Sequence, residues 1–210
     1  MKTAYLKLIL LFFLIFLFQI STAQQEEIIL SNPSFEDEPH PGNPPKGWYD
    51  CGGTNFPKET PPDVHPAEDP ENAFGVSKTT YHGDTYLGLV VRENDSWESV
   101  AQRLRSPLQQ GKCYTFSIYL SRSDTYTSTV RGSDDVKNFT TPIRLRIWGG
   151  TGYCSKKQLL AESEDVENTE WEKYTFYFTP NQNLRYFTLE AFFKTPTMVI
   201  PNGNLSLIHI

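Results

Sequence analysis

The 210-residue chain carries 25 acidic and 19 basic residues, so its formal net charge is −6. Proteins that bind nucleic acid usually present a basic surface to the phosphates, so this balance argues against nucleic acid as a partner. It is compatible with a neutral ligand or a polysaccharide, and the length suits one domain with a full core.

The first 23 residues predict a secretory signal peptide. Lys2 and Lys7 give a basic start, residues 8–20 are apolar, and residues 21–23 are small. The alternative is a membrane anchor, but the apolar run is shorter than the roughly 20 residues that a membrane-spanning helix needs. Cleavage before Gln24 leaves 187 residues with a net charge of −8. We therefore expect an exported protein (periplasmic, outer-membrane-associated or extracellular) with no membrane span.

Residues 37–72 predict a long, ordered loop, because nine of the 15 prolines lie there and proline lowers the entropy cost of ordering a chain. Before the loop, Ile28–Leu30 and Ser34–Glu36 predict a first edge strand, interrupted by Pro33. Within the loop, Trp48 and Tyr49 predict a short strand. Ala73–Val76 after the loop is expected to be extended.

Alternating apolar and polar residues predict antiparallel strands from residue 85 onward. The clearest case is residues 143–148, where Ile143, Leu145 and Ile147 are expected to face the core. No segment has a sustained helical period, so the pattern is typical of an all-β, antiparallel β-sandwich. The expected strands are residues 85–92, 97–104, 113–120, 143–148, 171–179 and 185–193, with a second long loop at 124–141. Residues 159–161 are expected to form a short strand or a turn of helix.

The three cysteines predict one disulfide, because an exported chain meets an oxidising compartment. Cys51 and Cys154 lie in glycine-rich loops and are the favoured pair, although the sequence does not determine the connectivity. Cys113 opens a predicted strand and is expected to be a buried thiol. No pair has the spacing of a zinc site.

The last six residues, 205–210, read Leu-Ser-Leu-Ile-His-Ile, which the end of a common transposase sequencing adaptor encodes in one frame. We therefore expect them to be foreign, and the natural chain to continue past Asn204. The single domain at 24–204 would then be truncated. The alternative is a genuine final strand, since Leu205 and Leu207 alternate with polar residues.

Several segments resemble the galactose-binding-like jelly rolls, a group that includes many carbohydrate-binding modules. They are LSNPSFE at 30–36, KGWYDCG at 46–52, TPPDVHP at 60–66, YLGLVVRENDSWESVAQRLRSPLQQGKCYTFSIYLSRS at 86–123, RLRIWGG at 144–150 and PNGN at 201–204. The combination is similar to exported modules of Bacteroidetes-type bacteria, often attached to outer-membrane or gliding-associated proteins. The resemblance implies a module that binds a polysaccharide or cell-surface glycan and is joined to further domains.

The resemblance also implies a structural calcium between the first strand and the last, with Glu36 as a ligand. The partner acid would lie on the final strand, where this sequence has residues 205–210. The alternative for Glu36 is an ordinary acid at a strand end. No other cofactor is expected.

Sugar binding uses aromatic rings that cover the C–H faces of a sugar and planar polar groups that bond its hydroxyls. For each candidate the alternative is structural: a ring packed under a loop, or an arginine paired with an acid. The candidates expected to face outward are Trp148, Arg146 and Arg144 on one strand, Tyr119 on another, Trp97 and Arg92 beside a turn, and Trp48 and Tyr49 in the proline-rich loop.

The sequence therefore favours a non-catalytic carbohydrate-binding module. The alternative is a structural or adhesion module that binds protein or cell-wall material, and a jelly-roll enzyme such as a lyase is less favoured. A glycosidase needs two carboxylates about 5–10 Å apart, and nothing singles out a pair among Glu98, Glu172 and Glu190. Asp63 and His65 are interpreted as turn residues, since Asp favours turns; the alternative is a polar pair near the mouth of a site.

Overall fold

The computed structural model describes residues 27–52, 61–68, 73–92, 97–129, 134–193 and 204–208, and the predicted signal peptide lies outside them. In those ranges there is no helix long and apolar enough to cross a membrane. Their elements are all strands: β1 (Tyr49–Asp50), β2 (Asp63–His65), β3 (Tyr86–Val90), β4 (Ser99–Leu108), β5 (Tyr114–Ser121), β6 (Thr127–Thr129), β7 (Val136–Asn138), β8 (Arg144–Gly150), β9 (Gln158–Glu162), β10 (Glu172–Phe178), β11 (Leu184–Phe192) and β12 (Asn204–Ile208).

The strands form two five-stranded sheets and a separate β6–β7 hairpin. The front sheet has the order β1-β4-β11-β8-β9, and the back sheet has the order β10-β5-β12-β3-β2. Every strand pairing is antiparallel. The prediction of an all-β, antiparallel jelly-roll sandwich is confirmed.

Side chains that alternate along the strands fill the space between the two sheets. Ile143, Leu145 and Ile147 are fully buried, as predicted, and Leu189 packs with them from β11. Arg144, Arg146 and Trp148 point to the opposite side of the front sheet, because successive side chains of a strand alternate between faces.

The predicted first strand at residues 28–36 is wrong, because this segment forms turns around Asn32. Asn32 has φ 47° and Phe35 has φ 58°. The Asn32 side chain accepts a hydrogen bond from the Glu36 backbone N–H and donates one to the Glu36 carbonyl. These bonds replace a strand partner, and asparagine tolerates the left-handed backbone better than most residues.

Two segments near the back sheet also differ from the predictions. Residues 73–76 form a turn, closed by the bond from Val76 N to Ala73 O, rather than an extended piece. The segment at 124–141 contains β6 and β7. Its Tyr126 and Phe139 pack with Tyr86 and Val90 into a second small core on the outer face of the back sheet.

Strand β12 lies between β3 and β5, where it pairs with both. It includes four of the six residues predicted to be foreign. Their origin, and the truncation that would follow from it, stay predictions.

A disulfide joins Cys51, which follows β1, to Cys154, which lies in the β8–β9 loop of residues 151–157. The third cysteine, Cys113, is exposed. The prediction of a buried Cys113 is wrong because β5 begins one residue later, at Tyr114, so Cys113 belongs to the preceding turn.

We predict that Cys51→Ser lowers the free energy of unfolding by about 2–5 kcal/mol, because the crosslink joins residues 103 apart in sequence and restricts the unfolded chain. Urea unfolding measures the change. Cys113→Ser is the matched control and should leave the midpoint unchanged. Equal changes in the unfolding midpoint for the two substitutions would contradict the Cys51–Cys154 disulfide.

Candidate functional site

The outer face of the front sheet presents side chains in rows, because directly paired residues of neighbouring strands share a face. The central row holds Tyr49, Ala101, Thr188, Trp148 and Leu159. The row on one side of it holds Ser99, Glu190, Arg146 and Glu162. The row on its other side holds Arg103, Tyr186 and Gly150.

The β8–β9 loop covers the middle of this face. Ala101 and Thr188 are both 0% exposed, although they point away from the core between the sheets. The loop reaches over them: Cys154 is bonded to Cys51 beside β4, and Lys156 forms an ion pair with the buried Glu190. The part of the face available to a ligand is therefore its margin.

Trp148, the leading sequence candidate, is held by its neighbours on this face. Its Nε1 donates a 2.9 Å hydrogen bond to Oε1 of Glu190. The charged groups of Arg146 and Lys156 each lie 6.0 Å from the ring centroid, within cation–π range. Burial lowers the pKa of Lys156, and the charge of Arg146 acts in the same direction. The half-buried indole supports the loop rather than offering an open ring.

The two arginine candidates on β8 are paired with acids. Arg144 donates to Asp165 at 2.6 Å and to Glu162 at 3.0 Å. Arg146 also bonds Glu162, and its guanidinium lies over the ring of Phe192. Their charges are satisfied within the protein, which corrects the expectation that they would be open to a ligand.

Three tyrosines form the open aromatic surface of the face, here called the tyrosine platform: Tyr49, Tyr153 and Tyr186. The rings of Tyr49 and Tyr153 pack at 4.8 Å between centroids, and Tyr186 meets Tyr153 edge-on at 4.9 Å. Tyr49 is 49% exposed and Tyr153 is 50% exposed. The sequence candidates included Tyr49 and missed the other two.

The disulfide fixes the geometry of the platform. Tyr49 precedes Cys51 by two residues, and Tyr153 immediately precedes Cys154. The crosslink therefore brings the edge strand β1 and the β8–β9 loop together beside the two rings. A platform fixed before binding loses less conformational entropy when a ligand arrives.

Trp48 was expected to face outward, and that prediction is wrong. Its side chain is 6% exposed, packs on Phe35 and donates from Nε1 to the carbonyl of Asn32. Because side chains alternate along a strand, Tyr49 is the one of this pair that points outward.

Arg92 and Trp97 lie at opposite ends of the β3–β4 connection, whose residues 93–96 fall outside the described ranges. Trp97 packs edge-on against Phe192 and against the main core. Arg92 donates to the buried Glu98 at 2.7 Å rather than pointing to solvent. Tyr119 lies on the back sheet, where it stacks on Tyr81. The eight candidates do not form one surface.

Glu36 uses its carboxylate to hold the turn before β3. Its Oε2 accepts bonds from the backbone N–H groups of Asp84 and Thr85, while Oε1 is buried without a hydrogen-bond partner. Calcium takes six to eight oxygen ligands, and the described ranges contain no group of three or more His, Cys, Asp or Glu that could hold a metal. Calcium here therefore stays a prediction.

A buried polar cluster lies on the outer face of the back sheet. Asp63 and His65 belong to β2 and are buried, so their interpretation as turn residues is wrong. Burial raises the pKa of Asp63 to about 6 and lowers the pKa of His65 to about 4. Burial also raises the pKa of Glu98, and Arg92 opposes this effect. The cluster is a packed feature on the side of the sandwich away from the platform.

No family model matches the sequence, and no curated protein matches it. Several solved structures share the fold. A Stig cyclase, Fisc, from Fischerella sp. TAU has 14% identity and a TM-score of 0.53, over 86% of this chain and 93% of that one. The K2 cleaved adhesin domain of Lys-gingipain has 8% identity and a TM-score of 0.51, over 84% of this chain and 94% of that one.

Carbohydrate-binding modules are also among the similar structures. The CBM22-1 xylan-binding domain of Xyn10C from Paenibacillus barcinonensis has 16% identity and a TM-score of 0.48, over 90% of this chain and 94% of that one. At these identities the similarities concern the fold alone.

We predict that Gly150→Ala destabilises the protein by about 1–3 kcal/mol, because an added Cβ would overlap the carbonyl oxygen of Ser155 in the covering loop. Gly152→Ala in the same loop is the matched control, since its added Cβ meets nothing within 4 Å. Urea unfolding of both variants measures the difference. An unchanged Gly150→Ala variant would show that the loop does not lie against the sheet.

We predict that His65 stays neutral in the folded protein down to about pH 4, because burial disfavours its charged form. The unfolded chain takes up this proton near pH 6.5, so His65 makes stability rise with pH between about 4 and 6.5. Asp63 acts in the opposite sense between about 4 and 6, because its pKa is raised on folding.

Ring-proton NMR of His65, assigned by comparison with His65→Gln, measures its titration. A midpoint near 6.5 in the folded protein would contradict this prediction. Across pH 4 to 6.5, the unfolding free energy of Asp63→Asn should rise relative to that of Asp63→Asn/His65→Gln. This difference isolates His65 from Glu98, whose raised pKa makes stability fall with pH in the same window.

Proposed function

We propose that this protein is a non-catalytic carbohydrate-binding module of an exported protein, and that the tyrosine platform is its contact surface. The observation that carries the proposal is the pair of half-exposed rings, Tyr49 and Tyr153, which a disulfide holds together at one margin of the front sheet. Tyrosine combines a large apolar ring with a hydroxyl that hydrogen-bonds, which suits a sugar with an apolar face and polar edges.

The resemblance of the sequence to galactose-binding-like jelly rolls supports the same class of ligand. The proposed partner is a polysaccharide or cell-surface glycan, and the module would be joined to further domains. The buried acid with a raised pKa, Asp63, lies on the outer face of the back sheet, away from the platform. We therefore assign no catalytic residue.

The second candidate is a structural or adhesion module that uses the same exposed rings to bind a protein. Tyrosine is common at protein interfaces, so the platform fits this class as well. The two candidates differ in their ligand, which is a glycan for the first and a protein for the second. The same tyrosine variants test both.

We predict that Tyr49→Ala and Tyr153→Ala each weaken binding by about tenfold or more to a glycan that slows the wild-type protein in a gel. Each substitution removes a ring that the ligand covers. Affinity electrophoresis in gels that contain xylan, mannan, galactan, alginate or carrageenan measures the retardation.

Tyr177→Ala is the matched control, since Tyr177 is 72% exposed but lies on β10 of the back sheet. A wild-type protein that no glycan retards would overturn the proposal in favour of an adhesion module. A loss of glycan binding in Tyr177→Ala equal to the loss in the platform variants would show that the tyrosine platform is not the contact surface.

A further inference from the structure

Three exposed arginines lie around the point where β4 and β11 pair at Tyr186: Arg103, Arg105 and Arg185, here called the arginine cluster. Arg103 is directly opposite Tyr186 in the β4–β11 ladder, so the two side chains are neighbours on one face. Arg105 lies two residues further along β4, in the irregular stretch 104–107, which lies opposite the single residue Arg185 of β11.

None of these arginines takes part in an ion pair within the described ranges. The acids of the same face are already engaged: Glu190 holds Lys156 and Trp148, and Glu162 holds Arg144 and Arg146. Asp50, next to Tyr49, accepts the backbone N–H of Gly52. The positive charge beside the platform therefore has no acidic side chain bonded to it in the part of the chain that the structure describes.

This local charge contrasts with the rest of the molecule. The chain has a net charge of −6, and a uniformly acidic surface would repel an anionic polymer. Guanidinium groups bind carboxylates and sulfate-like oxyanions through paired N–H donors. An aromatic surface next to unpaired guanidinium groups matches a sugar chain that carries negative groups.

We propose that the ligand of the platform is an anionic polysaccharide, with Arg103 and Arg105 binding its carboxylate or sulfate groups while the tyrosines contact its rings. The inference rests on the proposed carbohydrate-binding function and adds the charge class of the glycan. Binding should weaken as salt rises, because salt screens exposed charges over about 8–10 Å at physiological ionic strength.

The test compares wild type with the double variant Arg103→Gln/Arg105→Gln on four probes. Polygalacturonate and alginate carry carboxylates, κ-carrageenan carries sulfates, and xylan serves as a neutral probe. We expect wild type to bind at least one anionic probe. The double variant should bind that probe at least about tenfold more weakly, and its binding should lose most of its dependence on salt concentration. Retention on the uronates or on carrageenan identifies which acidic group the arginines bind.

The matched control is Lys137→Gln/Lys173→Gln, which removes the same charge from exposed positions on β7 and on β10 of the back sheet. Equal losses in the two double variants would overturn the proposal in favour of non-specific ion exchange. Thermal unfolding checks that all variants remain folded, as exposed substitutions should.

Two other outcomes separate this proposal from the function on which it rests. Binding to neutral xylan that the arginine substitutions and salt leave unchanged would overturn the anionic ligand and keep the carbohydrate-binding function. Absence of binding to every glycan would overturn both. Retention of single-stranded DNA that Arg103→Gln/Arg105→Gln abolishes would assign the cluster to nucleic acid instead.

Discussion

The contact between the β8–β9 loop and the front sheet determines which parts of that sheet meet solvent. The loop is joined to the end of β1 by the Cys51–Cys154 disulfide, and Gly150 leaves room for the carbonyl of Ser155. An open sheet face would expose Ala101 and Thr188, yet both are fully buried. The loop therefore shields the centre of the face from solvent. At the margin of the face, Tyr153 of the loop packs against Tyr49 and leaves an aromatic surface exposed.

The same loop accounts for the distribution of charge on the face. Covering Glu190 would be costly if its carboxylate were left alone, because a buried charge needs a partner. Lys156 from the loop and the indole N–H of Trp148 supply those partners. The acids that bind the loop and the β8 arginines are therefore already bonded. In the described ranges, no acid is bonded to Arg103 at the platform end of the face.

The sequence was sufficient for the sandwich and insufficient for the site, and particular residues show why. Alternation along β8 is a local property, so it correctly placed Leu145 and Ile147 in the core. It also placed Trp148 on the outer face, but whether an outward ring is free depends on a loop that folds back over the sheet. In the pair Trp48–Tyr49, strict alternation would have separated the buried ring from the exposed one. The favoured pairing of Cys51 with Cys154 already implied that Tyr49 and Tyr153 lie close together, although Tyr153 was not among the candidates.

The two outer faces of the sandwich are thus covered in different ways. On the back sheet, the segment around β6 and β7 forms a second core in which Tyr126 approaches Asp63. Burial there disfavours the charged forms of Asp63 and His65, so these groups are suited to packing rather than to attracting a ligand. On the front sheet, the cover is a short loop fixed by one covalent bond, and it carries an aromatic ring on its own exposed side. Because that ring and Tyr49 are positioned by the disulfide and by the strand register, the proposed contact surface depends on the fold, and Arg103 lies at a fixed position opposite Tyr186.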